Sequence, residues 1–175
     1  MSKIKKIVLS SLLLATLIVL SRFFSIKTPV VVFSFSFIPI MFGAILLGPK
    51  WSIMIAVLGD IIGAILFPMG SFFIGFTISA ALTGLIYGIF LYKGGKKKIS
   101  DMNFLFRIII SSVLVLLVVN LLLNSYWLNI MLNKAWKTLV SARLIKELIM
   151  LPVQVLAIYG LELILRDSID KYLRD

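Results

Sequence analysis

Long apolar runs, separated by short breaks rich in glycine, proline or charge, set the pattern of this chain. They cover residues 7–24, 33–48, 51–67, 72–92, 104–127 and 142–165. Each run is apolar on all sides and lacks the two-residue alternation of a membrane β-barrel strand. About 20 such residues cross a bilayer as a helix. The pattern therefore predicts an all-α membrane protein with six transmembrane helices, forming one integral membrane domain over residues 1–175. Short loops use the remaining chain, and no internal repeat or low-complexity segment interrupts it.

The second run departs from the others. Val32-Phe33-Ser34-Phe35-Ser36-Phe37 alternates with period two, as an extended strand does, and Pro39 follows. Helix is expected only from about Ile38 or Pro39. Non-helical backbone at membrane depth survives only against protein or a cavity, and an interrupted span points to a binding site. Phe33 and Phe35 are therefore candidates to line an outer pocket.

Composition narrows the class. Hydrophobic residues make up 61% of the 175 and mean hydropathy is +1.14, against roughly 45–50% apolar in soluble domains. There are no cysteines or histidines, which excludes disulfides, thiol chemistry, Cys/His metal sites and histidine acid–base catalysis. The chain carries no GxxxxGK[ST] phosphate loop, no paired carboxylates and no catalytic serine set. It reads as a non-enzyme with no cofactor and no metal, so uphill transport would draw energy from a partner or an ion gradient.

Charge sets the topology. The net charge is +11, from 18 Lys and Arg against 7 Asp and Glu. Six spans put both termini on one side. That side holds Lys3, Lys5, Lys6, Lys50, Lys93, Lys96, Lys97, Lys98, Arg107, Arg166, Lys171 and Arg174. The other holds Arg22, Lys27, Lys134, Lys137, Arg143 and Lys146. The excess marks the cytoplasmic side, with the lysines of 93–98 as the main anchor, and suits membrane rather than nucleic acid. Lys3, Lys5 and Lys6 also precede an apolar run as in a signal peptide, but that run lacks a small-residue cleavage site and reads as a retained helix.

The six outer cations have no acid in their loops to neutralise them. They would suit an anionic, partly aromatic ligand. Arg143, Lys146 and Glu147 share a helical face; pairing Arg143 with Glu147 leaves Lys146 alone, and a lone cation in a span is a functional candidate. Phe72, Phe73 and Gly75 lie in a loop whose glycines permit close approach to a ligand. Asn120 and Asn124 are one turn apart, and their amides can read a heterocycle edge. Trp127 adds a flat ring or an interfacial anchor. Asp60, between Gly59 and Gly63, is expected to be structural rather than a proton relay. Ser11 with Ala15, and Gly84 with Gly88, form small-residue pairs suited to helix docking.

The ordered stretches SRFFSIKTP (21–29), FIPIMFGAILLGPKW (37–51), Asp60 with GAILFP (63–68), GSFFIGFT (70–77), GLIYGIFLY (84–92), NSYWL (124–128) and ARLIKELIMLPVQ (142–154) resemble the S-components of energy-coupling factor transporters, most closely the folate-specific group. Ile74 stands where that pattern has a proline. The resemblance implies a six-helix subunit in a prokaryotic plasma membrane that captures a vitamin from outside. It implies partners: a transmembrane coupling subunit and two cytoplasmic ATPases. Ser11 and Ala15 would face the coupling subunit. Loops over 25–36, 68–72 and 128–141 would cover the ligand. Folate's pterin and benzoate would suit the Phe, Trp and Asn side chains, and its glutamate tail would suit Arg22, Lys27, Arg143 or Lys146. Another anionic vitamin such as pantothenate, or a stand-alone secondary transporter, are the other readings.

Overall fold

The computed structural model describes residues 2–28, 31–68, 71–93, 101–133 and 135–174, leaving aside the side chains of residues 27, 101 and 165–174. The first helix, α1 (Lys3–Arg22), is N-capped by Ser2, whose hydroxyl accepts from the Lys5 amide at 3.3 Å. It packs on α2 and α3 yet buries only Leu17. An apolar helix so little covered by its own chain needs lipid or another helix around it.

The period-two stretch after α1 is a strand, as its alternation predicts. β1 (Ser25–Lys27) pairs antiparallel with β2 (Val32–Ser34), with Ser25 opposite Ser34. The Ser34 hydroxyl donates to the Leu20 carbonyl at 3.1 Å and ties this hairpin to the end of α1. Helix resumes at α2 (Phe37–Leu47). Its 11 residues reach only about 16 Å at 1.5 Å per residue, half of a bilayer core of about 30 Å. The expected second span over 33–48 is thus a half-length helix, with the hairpin occupying the outer half. It is surrounded by α1, α3, α4 and α7, and Met41, Ala44 and Ile45 are fully buried.

Gly48, at φ +87°, turns α2 into α3 (Pro49–Leu66). A left-handed turn favours glycine, and the Tyr92 ring 3.1 Å from any added Cβ leaves no room for more. Proline in the first turn of α3 suits a position whose amide has no helical partner. The next helix, α4 (Ile74–Leu91), packs extensively along α3. A Cβ on Gly84 would stand 2.7 Å from the Ser52 carbonyl oxygen, and one on Gly88 would stand 2.3 Å from Pro49 Cα. The Gly84–Gly88 pair therefore serves packing within the chain and is not a docking face. Ile74 opens α4, the position at which a proline is also tolerated.

The fifth crossing overshoots its expected bounds of 104–127. α5 (Asp101–Leu114), a π-helix (Val115–Leu123) and α6 (Asn124–Leu132) run on without a break. Asn133, at φ 50°, ends the run in the left-handed conformation that asparagine tolerates at a helix end. Then α7 (Trp136–Arg174) begins before the expected residue 142. The outer loop anticipated over 128–141 is mostly helix.

Six crossings return the chain to the side from which it started. Five of these helices are long and apolar enough to span a membrane, and α2 is the short one. At the N-terminal end, Lys93 pairs with Glu162, and its ammonium lies 4.5 Å from the Phe104 ring centre. This joins α7 to the ends of α4 and α5. The remaining lysines of the 93–98 cluster lie outside the described residues.

Candidate functional site

At the opposite end of the bundle a cavity of about 350 Å³ lies between the hairpin and six helical segments. Val32 and Ser34 of β2 line one side, followed by Ser36 and by Phe37 and Ile40 of α2. Asp60 comes from α3, and Phe76, Ser79, Ala80, Thr83 and Tyr87 from α4. Val115, Val119 and Asn120 of the π segment, Asn124 of α6, and Lys146, Met150 and Gln154 of α7 complete the wall. The α4 residues fall at i, i+3, i+4, i+7 and i+11, one stripe of a helix. Those on α7 fall four apart.

Two charged groups meet this space. Asp60 Oδ2 accepts the Thr77 hydroxyl at 2.7 Å. Lys146 Nζ pairs with Glu147 Oε1 at 2.5 Å, and the Glu147 side chain is 3% exposed. The two asparagines are joined: Asn124 Nδ2 donates to Asn120 Oδ1 at 3.3 Å. Asn124 Oδ1 is buried and takes no donor among the described residues. A buried acceptor without a donor is costly, so a ligand N–H or a water suits it.

The aromatic residues foreseen in the sequence form a layer behind the wall. Trp127 Nε1 donates to Ser79 Oγ at 3.1 Å, and Ser79 lines the cavity. The Phe73 and Trp127 ring centres are 5.6 Å apart. Gly75 makes room for both: a Cβ there would lie 2.5 Å from Phe73 Cε1 and 2.6 Å from Trp127 Cδ2. Phe35 stacks 6.1 Å from Phe37, which does line the cavity. Phe33 packs against the core, and Phe72 is exposed; neither lines the cavity.

Among the described outer cations, Lys146 alone lines the cavity. Of the twelve anticipated binding residues, Asn120, Asn124 and Lys146 line the cavity. Arg22 turns to α3, where Nη1 donates to the Phe67 carbonyl at 3.4 Å and the guanidinium covers Gly63. Arg143 Nη1 donates to the Asn120 carbonyl at 3.3 Å. Lys137 is exposed, and Lys134 and the side chain of Lys27 lie outside the described residues. The expected Arg143–Glu147 pair is replaced by Lys146–Glu147, because the carbonyl of the π segment stands within reach of Arg143. Asp60, expected to be structural, does bond a neighbouring helix through Thr77, and it also lines the cavity. Ser36, Ser79, Thr83, Tyr87 and Gln154 also escaped the sequence reading; only the stripe spacing on α4 could have flagged its members.

Among the described residues no group of three or more carboxylates, histidines or cysteines could hold a metal. The arrangement suits binding: a cavity with a mixed apolar and polar wall at one end of a small lipid-embedded helical bundle, with one cation, one carboxylate and several amides and hydroxyls. The chain belongs to the family of ECF transporter substrate-specific components, whose model matches residues 5–162.

Particular relatives sharpen that placement. The chain is 36% identical over 160 residues to the folate transporter FolT of Clostridium novyi (strain NT), covering 91% of this chain and 89% of that one. It is 38% identical over 156 residues to the folate transporter FolT of Leuconostoc mesenteroides, covering 86% and 80%. Among solved structures, the crystal structure of FolT bound with folic acid matches with a TM-score of 0.80 at 36% identity, covering 90% of this chain and 92% of that one.

Proposed function

We propose that this chain is the folate-capturing subunit of an ATP-driven importer in a prokaryotic plasma membrane. The single observation that carries the choice of ligand is the pairing of opposite chemistries in one cavity. Asp60, with one oxygen held by Thr77, offers its other oxygen to N–H donors. A 2-amino-4-oxopteridine carries adjacent N–H groups of that kind. Asn120 and Asn124 can meet the remaining ring heteroatoms. Phe37, Phe76 and Tyr87 line the same space and suit a flat ring system. Lys146 suits a carboxylate of the glutamate tail. The volume falls in the range of about 300–1,000 Å³ usual for small-molecule sites. Pantothenate has no ring to stack against Phe37, Phe76 and Tyr87.

The cavity lies at the end of the bundle away from Lys3, Lys5 and Lys6. The positive-inside rule puts that lysine-bearing end in the cytoplasm, so the cavity faces outside. Ser11 and Ala15 are exposed on α1, in keeping with docking of a coupling subunit, and the two ATPases of such a module would drive release. Catalysis has no place in this chain's own role.

The test is thermal shift and calorimetry on detergent-purified protein with folate, pteroate, p-aminobenzoyl-glutamate and pantothenate. Folate is expected to bind below micromolar concentration without any partner, with pteroate weaker and p-aminobenzoyl-glutamate much weaker. Stabilisation by pantothenate and none by folate overturns the reading. Folate uptake into vesicles lacking ATPases would make the chain a stand-alone transporter instead.

A further inference from the structure

Residues Val115–Leu123 form a π-helix inside an otherwise α-helical crossing. π turns are rare, short and concentrated at functional sites. In such a turn each amide bonds the carbonyl five residues back, and Asn124 N–H accordingly donates to the Val119 carbonyl. Where bonding returns to the four-residue spacing of α6, one carbonyl is passed over. In a lipid-embedded helix a carbonyl without an amide needs another donor. The carbonyl that follows Val119 along the chain belongs to Asn120, and it accepts from Arg143 Nη1 at 3.3 Å.

The register matters for the site. Val115, Val119, Asn120 and Asn124 all line the cavity. Removing the extra residue of the π turn would rotate everything beyond it by about 100°, the angle per residue of an α-helix. Asn120 and Asn124 would then turn together away from the wall that Val115 and Val119 line. Arg143 itself is absent from the wall.

We infer that Arg143 is a positioning residue: by holding the Asn120 carbonyl it locks the π register and keeps the Asn120 and Asn124 amides aimed at the ligand. It does not touch the ligand. The ligand part of this inference rests on the folate reading above; the part concerning the unliganded chain does not.

The unliganded part is tested by hydrogen exchange of purified Arg143→Met. Amides of 119–125 should exchange about tenfold faster, the scale expected for losing one charged hydrogen bond, while those of α3 stay at the native rate. Arg143→Lys, which keeps a donor, should recover much of the protection. Unchanged exchange in 119–125, or an equal rise in α3, overturns the inference. If Arg143→Met does not purify folded, Arg143→Ala, which also lacks a donor, replaces it with the same readings.

The liganded part uses folate and pteroate. Arg143→Met should weaken both by the same factor, about tenfold. In an Asn120→Ala/Asn124→Ala background it should weaken them less than twofold further, because the amides it aims are gone. A loss confined to folate makes Arg143 a tail contact and overturns the inference, as does a full tenfold loss in the asparagine-free background. Failure of the native protein to bind folate sinks the folate reading alone, since the exchange measurement still decides the role of Arg143.

Discussion

Thr77 on α4 donates its hydroxyl to Asp60 Oδ2 on α3 at 2.7 Å. Thr77 is buried, and Asp60 lines the cavity. The hydroxyl fixes the carboxylate's orientation and occupies one oxygen. Asp60→Asn is expected to lower folate affinity about 10- to 100-fold, the worth of a charge-assisted hydrogen bond. Binding of p-aminobenzoyl-glutamate, which has no pteridine, should barely change. Thr77→Val should act in the same direction but more weakly. Calorimetry with both ligands checks this.

Lys146 and Glu147 must be removed together to be understood. Glu147 is almost fully buried, so Lys146→Ala alone strands its charge. Breaking a buried pair on one side costs about 3–5 kcal/mol, and the melting temperature of the unliganded protein should fall steeply. Lys146→Ala/Glu147→Gln should recover most of that stability. The double variant should still bind pteroate and lose affinity for folate, if the ammonium meets the tail. Thermal melts and titrations with the two ligands separate the contributions.

Gly88 and Gly160 offer a matched comparison of the same substitution. A Cβ at Gly88 would lie 2.3 Å from Pro49 Cα, whereas one at Gly160 meets nothing within 4 Å. Gly88→Ala should force α3 and α4 apart and cost about 1–3 kcal/mol or more, as overpacking does. Gly160→Ala should be neutral or stabilise by up to about 1 kcal/mol through helix propensity. Melting temperatures in one detergent decide it.

Trp127 is hydrogen-bonded to a wall residue, Ser79, while Trp51 and Trp136 lie away from the cavity lining. Folate should quench tryptophan emission in the native protein, and Trp127→Phe should abolish most of that change. Gly75→Ala should push the Phe73–Trp127 stack, shift the emission of the unliganded protein and weaken folate several-fold.

Ala15 lies exposed on α1, a helix that contributes no residue to the cavity lining. Ala15→Leu should leave folate binding by the purified subunit unchanged and reduce uptake in cells that carry the full importer. Unchanged uptake would remove α1 from the docking surface.

Much of the architecture is legible in the linear pattern because lipid imposes one rule on every span. A chain in hydrocarbon must satisfy its backbone within each helix, so continuous apolar runs map onto crossings one by one. The extended stretch before Pro39 is legible for a related reason: period-two alternation has no use in a helix. The crossings recovered in this way include even the short α2, whose start was anticipated within a residue or two. Family membership was equally plain, because the motifs are spread along the chain in order.

The site was less legible, and the charges show why. A cation count assigns Arg22, Arg143 and Lys146 to the same side of the membrane but says nothing of what each can reach. Arg22 meets the Phe67 carbonyl, Arg143 meets the carbonyl of Asn120, and only Lys146 lines the cavity. Asp60 stood in plain view, yet its role turns on Thr77 from another helix. Nor does any residue type announce a π turn. The sequence by itself determined the number of crossings and the end at which charge accumulates, since these follow from residue types counted over local windows. Only the tertiary structure decided which polar groups share a cavity, because a hydrogen bond of about 3 Å depends on helix register and rotation, and neither is written in any single segment.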